Sequence, residues 1–220
     1  FVNKLKQASK TARIAMVGKY TKLRDSYISI VEALKHAGAW LGVKPELVWI
    51  ESTDIELGKE SLEKLDSVNG ALLLPGFGKR GSEGKISAIR KLREDGKPVL
   101  GICFGFQLMV VEIARNVLGL NGAHSTELDP STPHPVIDLL PGQRGVGQLG
   151  GTMRLGAVPI KLIRGTKAYE AYGRDVIMER HRHRYGVNPK YLDKLEAAGF
   201  IVSGFSYDGV IEFMERASSK

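Results

Sequence analysis

The sequence predicts an α/β fold, with a mainly parallel central sheet covered by helices on both faces and antiparallel strands toward the C-terminus. Three observations predict it. Short, continuously apolar runs alternate with segments of helical periodicity through the first half of the chain. Those runs lack the in-and-out alternation of a half-solvated strand, as parallel strands buried on both faces do. From Thr152 onward, four strand-like segments follow one another with a single capped helix among them.

Taken in order, FVNKLKQASK (1–10) is a basic amphipathic stretch with no strand directly after it, and is expected to be an interdomain linker remnant ahead of a domain at 11–220. Arg13 to Val17 is a strand closed by Gly18, and Asp25 to Leu41 a helix capped by Asp25 with Ile28, Val31, Leu34 and Leu41 on its apolar face. Leu47 to Ile50, Ala71 to Leu74 and Pro98 to Ile102 are the next strands. Between and after them come a weak helix at Ser61 to Leu65, a helix at Ile86 to Leu92 and another at Phe104 to Leu118. Gly119 to Gly151, rich in Gly and Pro, reads as one long loop. MRLGAVPIKLI, DVIMERHRHRY, GFIVSGFSY and GVIEFMER are the later strands, with NPKYLDKLEAA the capped helix.

Composition narrows the function classes. The chain has 220 residues, 43% of them hydrophobic, enough for a real core and too apolar for disorder. Its one cysteine cannot form an internal disulfide, no apolar run reaches membrane-spanning length, and the start lacks a signal peptide's apolar centre, so a cytoplasmic protein without a membrane partner is expected. The net charge of +8 is a weak hint of anionic ligands. Its 32 basic residues are dispersed among 24 acids rather than gathered in an arm, so no nucleic-acid partner is expected.

The chemistry-bearing stretch is Gly101-Ile-Cys103-Phe-Gly105 at a strand-to-helix junction. Glycines two before and two after the cysteine give the spacing of a nucleophile elbow. A thiol at a helix N-terminus is also favoured as thiolate, and the N–H of Phe104 is placed to donate to an oxyanion. A buried core cysteine is the plain alternative. Gln107, one helical turn on, can project an amide toward the same place or serve a structural hydrogen bond. The loop Leu74-Pro-Gly76-Phe-Gly-Lys-Arg-Gly81 is dense in glycine, so its backbone can approach a ligand. No metal site is read from the sequence.

Together, GICFGFQ and the preceding LPGFGKRG loop resemble the class I glutamine amidotransferases, which hydrolyse glutamine with a Cys-His-Glu triad. KYTKLRDSYISIVEALKHAG (19–38), GFGKRGSEGK (76–85), HSTELDPSTPHPVIDLLP (124–141), GGTMRLG (150–156) and ERHRHRYGVNP (179–189) are more specifically similar to the glutaminase domains of the CTP synthase family. The resemblance implies that Cys103 forms a glutamyl thioester, that Gly76 and Phe104 supply the oxyanion hole, and that Gly76, Phe104, Gln107, Glu127 and Arg184 bind glutamine. Glu127 would meet the ammonium and Arg184 the carboxylate. It also implies an N-terminal amidoligase domain in the same polypeptide, holding ATP and Mg2+ and aminating UTP to CTP, with GTP as allosteric activator and a homotetrameric full-length enzyme. No cofactor is expected in this domain.

One departure stands out. The family's general base lies in a His-Pro-Glu segment, and none of His36, His124, His134, His181 and His183 precedes Pro-Glu; His134-Pro135 continues as Val136-Ile137. The fragment alone is therefore expected to be inactive. The plain reading of the basic run RHRHR, a solvated strand face or an RNA patch, is kept for Arg180 and Arg182, while Arg184 is given to glutamine. Another class I glutaminase, or a silent module binding nucleotide or RNA, remains the alternative reading.

Overall fold

Four parallel strands, β1 (Lys10–Gly18), β2 (Val43–Glu51), β3 (Gly70–Leu73) and β4 (Val99–Gly101), pair in the order β2-β1-β3-β4. The computed structural model describes residues 1–140, 143 and 153–217. The chain divides into two compact units, Phe1–Met109 and Val110–Lys220, and these four strands belong to the first.

The sheet is covered as the apolar runs require. Ile14 and Met16 of β1, Leu72 and Leu74 around β3, and Leu47 and Trp49 of β2 form one packed group with Tyr27, Ile30 and Leu34. Ile30 and Leu34 lie on α2 (Ile28–Leu41), which follows the short helix α1 (Val2–Gln7) in chain order. Ala15, Val17 and Leu73, of the opposite parity, are fully buried. α3 (Ser52–Glu56) packs against α4 (Ser82–Glu94), and α4 also packs on β1, β3 and β4. Successive strand residues face opposite sides, so two buried parities mean two covered faces. Pro45 is tolerated within β2 because that strand is an edge.

Local chemistry shifted several boundaries. Residues 1–10 include α1, and β1 starts at Lys10, because Lys10, Thr11 and Ala12 already pair with Val43, Lys44 and Pro45. Asp25 does not cap a helix. It lies inside a 3-10 turn, Arg24–Tyr27, and α2 begins after it without a side-chain cap. The weak helix at 61–65 is a 3-10 turn, Leu62–Leu65, capped by Ser61 Oγ.

α5 (Phe104–Asn116) leads into the second unit. That unit holds a small sheet of β5 (Ala123–Ser125), β6 (His134–Leu139) and β9 (Tyr185–Val187), in which β6 is central. The region read as one long loop therefore carries two strands. Thr126 to Pro133 between them is tied by turns at Ser125 and Asp129. The remainder of that region, including most of LLPGQRGVGQLGG and the start of GGTMRLG, lies outside the described residues, as do 218–220. A second, antiparallel sheet runs β11-β10-β7-β8, from β7 (Arg154–Leu162), β8 (Val176–His183), β10 (Phe200–Ser206) and β11 (Ile211–Arg216). α6 (Lys167–Tyr172), capped by Thr166, and α7 (Leu192–Ala197), preceded by a turn capped by Asn188, complete the unit. Among the described residues, no helix is long and apolar enough to cross a membrane.

Candidate active site

Cys103 stands between the end of β4 and the first residue of α5 with φ at 52°, in the left-handed region that an L-residue enters at a cost of about 1–2 kcal/mol. Three backbone bonds hold it there. Ile102 N–H donates to Leu73 O at 3.0 Å, Gly105 N–H to Ile102 O at 2.9 Å and Gln107 N–H to Cys103 O at 3.0 Å. Both glycines of the motif are required sterically. A Cβ on Gly101 would lie 2.6 Å from Met109 Sδ and 2.7 Å from Phe106 N, and one on Gly105 would lie 2.6 Å from Leu73 C. The side chain is half-buried rather than sealed in the core. Strain held by tight packing at a reachable thiol is the signature of a functional position, which favours the elbow reading over the core cysteine.

The Leu74–Gly81 loop lies against this elbow. A Cβ at Gly76 would sit 3.9 Å from Phe104 Cδ1 and 3.7 Å from Lys19 Cε, so the Gly76 backbone lies beside the Phe104 ring and the Lys19 stem. Two lysines not anticipated from the sequence hold the loop. Lys85, completely buried on α4, donates to Leu74 O at 2.6 Å. Lys19, at the end of β1 and 6% exposed, donates to Phe77 O and, at 3.0 Å, to Gly78 O. Burial pushes the Lys85 ammonium down to about 7; Lys19 adds repulsion, while Cys103 and Glu51 oppose the shift. Gln107 is 5% exposed, one turn into α5. Cys103, Gly76, Phe104 and Gln107 thus all fall in the first unit.

Glu127 and Arg184 fall in the second, both half-buried beside the small sheet. Glu127 follows β5, its N–H bonded to Ser125 Oγ at 3.2 Å. Arg184 sits between β8 and β9, and its carbonyl accepts from Leu140 N–H at 2.9 Å. Both act on Tyr185, whose hydroxyl is pushed up chiefly by burial and then by Glu127, with Arg184 opposing. Arg180 and Arg182 are exposed, which makes them the solvated face of β8.

A further cluster joins His181, His183 and Glu212, donor types that also suit a metal. Among the described residues the groups satisfy one another only in part, since His181 Nε2 is buried with no hydrogen-bond partner. His183 Nδ1 meets Tyr185 O at 2.9 Å, its Nε2 meets His181 Nδ1 at 3.1 Å, and Arg154 Nε lies 2.9 Å from Glu212 Oε1. Arg154 is in turn held by Asp208 at 2.6 Å.

A strained cysteine elbow, an adjoining glycine loop and a parallel sheet ending at both define the class. The chain belongs to the class-I glutamine amidotransferase family, whose model matches residues 22–220. Within that family it groups with the glutaminase domains of CTP synthases. It is 61% identical over 216 residues to the CTP synthase of Aeropyrum pernix, covering 98% of this chain and 40% of that protein. Against the CTP synthase of Sulfurisphaera tokodaii it is 59% identical over 220 residues, covering 100% and 41%. The solved glutaminase domain of Trypanosoma brucei CTPS with bound acivicin superposes with a TM-score of 0.84 at 31% identity, over 93% of this chain and 81% of that one. The chain spans about two fifths of the length of the full CTP synthases it matches.

Proposed function

We propose that this chain generates ammonia from glutamine for a CTP synthase. Cys103 Sγ attacks the side-chain amide carbon of glutamine, and the carbonyl oxygen, now negative, is received by the N–H groups of Gly76 and Phe104. Collapse expels ammonia and leaves a glutamyl thioester, which water cleaves to glutamate and free thiol. The base that shuttles the proton belongs to the family's His-Pro-Glu segment, and no histidine of this chain is assigned to it. Gln107, Glu127 and Arg184 recognise the amino-acid end of glutamine, the carboxylate of Glu127 meeting its ammonium and the guanidinium of Arg184 its carboxylate.

Ammonia then passes to UTP activated by ATP with Mg2+ in an amidoligase domain of the same polypeptide, with GTP as activator, in a cytoplasmic homotetramer. The observation that carries the reading is the left-handed Cys103 between two glycines that admit no side chain, in a chain matching the family from residue 22 onward.

The test uses the full-length protein and a diazoketone analogue of glutamine. The analogue is expected to modify the Cys103 peptide. Cys103→Ala is expected to abolish CTP formation from glutamine while leaving formation from added ammonia intact. Arg184→Lys, which loses the planar fork, is expected to raise KM for glutamine at least tenfold with a smaller change in kcat. Labelling elsewhere, or glutamate release that survives Cys103→Ala, overturns the assignment; turnover that does not respond to UTP points to another class I glutaminase.

A further inference from the structure

A fully buried lysine is rare unless paired with a negative group. Lys85 is completely buried, yet the partner of its ammonium is one backbone carbonyl, Leu74 O. A second buried lysine, Lys19, stands close enough to repel it. Both ammonium groups face the Phe104 ring, at 5.2 Å for Lys19 and 5.3 Å for Lys85. Phe104 is the residue next to the thiol.

The charged and titratable groups acting on Lys85 are Lys19, Cys103 and Glu51. The Glu51 carboxylate is engaged elsewhere, accepting from the N–H and hydroxyl of Thr21, both at 3.0 Å. Among the described residues the Lys85 ammonium is therefore desolvated with no carboxylate bonded to it, an arrangement costly in a folded core and characteristic of sites that need positive potential. The group whose ionisation would balance it is the Cys103 thiol.

Position matters as much as charge. Lys85 holds the carbonyl at one end of the Leu74–Gly78 segment, and Lys19 holds two carbonyls at the other. Gly76 lies between these anchors, against Phe104.

We propose that Lys85, acting with Lys19, is a positioning residue for the nucleophile: it fixes the Leu74–Gly78 loop beside Phe104 and supplies the positive potential that keeps Cys103 as thiolate. This rests on Cys103 being the nucleophile. The thiolate and the later oxyanion occupy the same neighbourhood, so one field serves both steps.

The experiment is the pH profile of iodoacetamide alkylation of Cys103 in the full-length protein, read from the mass of the Cys103 peptide. The wild-type midpoint is expected below the ordinary thiol value of about 8.5. Lys85→Met, which keeps the stem and removes the charge, is expected to raise the midpoint by about one pH unit, slowing alkylation at pH 6.5 about tenfold. Its plateau rate at high pH should stay within about twofold of wild type, since access to an ionised thiol depends on neither lysine charge. For glutamine hydrolysis, kcat should fall while KM changes little.

A purely structural lysine would leave the alkylation midpoint where it was, and that result overturns the proposal. If Lys85→Met does not fold, the wild-type midpoint decides, since a value at or above about 8.5 refutes the thiolate; Lys19→Met, expected to shift it the same way, is the second variant. Iodoacetamide needs no glutamine recognition. A shifted profile without glutamine hydrolysis therefore removes the proposed function and leaves this inference, and hydrolysis with an unshifted profile does the reverse.

Discussion

Adding a single methyl group at Gly105 is expected to damage both stability and catalysis. In Gly105→Ala the new Cβ would lie 2.6 Å from Leu73 C and 2.8 Å from Leu73 Cβ, with Leu73 O closer still. Ordinary contact begins at 3.4 Å and Leu73 O would be met at 2.1 Å, so the start of α5 must withdraw from β3 by about 1.3 Å. Overpacking against backbone costs roughly 1–3 kcal/mol. The same movement stretches the Ile102 N–H to Leu73 O bond, now 3.0 Å, worth about 1 kcal/mol more. A total of about 2–4 kcal/mol corresponds to a transition lowered by roughly 5–10 °C. Because the displaced turn carries Cys103 and the Phe104 N–H, glutamate release should fall on the order of 10- to 100-fold. Thermal unfolding and glutaminase assays of the full-length protein, with the exposed Ser87→Ala as control, measure both. A transition within 1 °C of wild type, with turnover within twofold, would refute the idea that contact with β3 sets the nucleophile.

Cys103→Gly should unfold at a higher temperature than Cys103→Ala, by about 2–4 °C, because glycine relieves a left-handed backbone that alanine keeps strained; equal transitions would contradict the 52° φ. Lys85 binds its proton less tightly folded than unfolded, so its cost to stability is complete below about pH 7 and fades as pH rises toward the free-lysine value. Wild type should therefore gain on Lys85→Met by about 1.4 kcal/mol per pH unit between pH 7 and 9, measured by urea unfolding, and a gap independent of pH would argue that the lysine is not dry. Arg154→Met strips the cation from Glu212, whose side chain is 4% exposed, and should destabilise by roughly 3–5 kcal/mol at neutral pH. Arg154 also holds the Asp208 carboxyl down to about 2, so its contribution there is present above the ordinary carboxylate range and lost as pH falls toward 2; the deficit of the variant should shrink on acidification.

The parallel half of the fold was legible because each strand is a continuous apolar run, and the alternating helices left no other way to bury it. The missed elements are those whose stabilisation is not in their composition. α3 is five residues, STDIE, with one apolar side chain, and begins where the Glu51 side chain accepts from Thr53 N–H. α6 is six residues, held by the Thr166 cap and by Glu215, which accepts from the N–H groups of Lys167 and Ala168 across 48 and 47 residues of sequence. β5 has three residues and no pattern at all. Asp25 was a sound cap by residue type, but a 3-10 turn intervened.

At the site, the spacing of two glycines about one cysteine announced the elbow, yet the backbone angle that gives it meaning is invisible in letters. Lys85 shows the opposite failure. It ends a charged stretch, KRGSEGK, that reads as solvent-facing, and its burial follows from which side of α4 packs against the sheet rather than from any local signal. Lys19 was hidden likewise, being polar at the exit of an apolar strand, where a loop residue is the ordinary reading.

The left-handed turn at Cys103 also bears on heritable variation. A cysteine codon becomes a glycine codon by one nucleotide change, and glycine is the residue this backbone favours. Thermodynamics at this position therefore pulls lineages toward an inert protein that folds at least as well as the working one. What opposes that drift is the need for the thiol's chemistry, so a copy released from that need would be expected to lose its nucleophile early and its fold late.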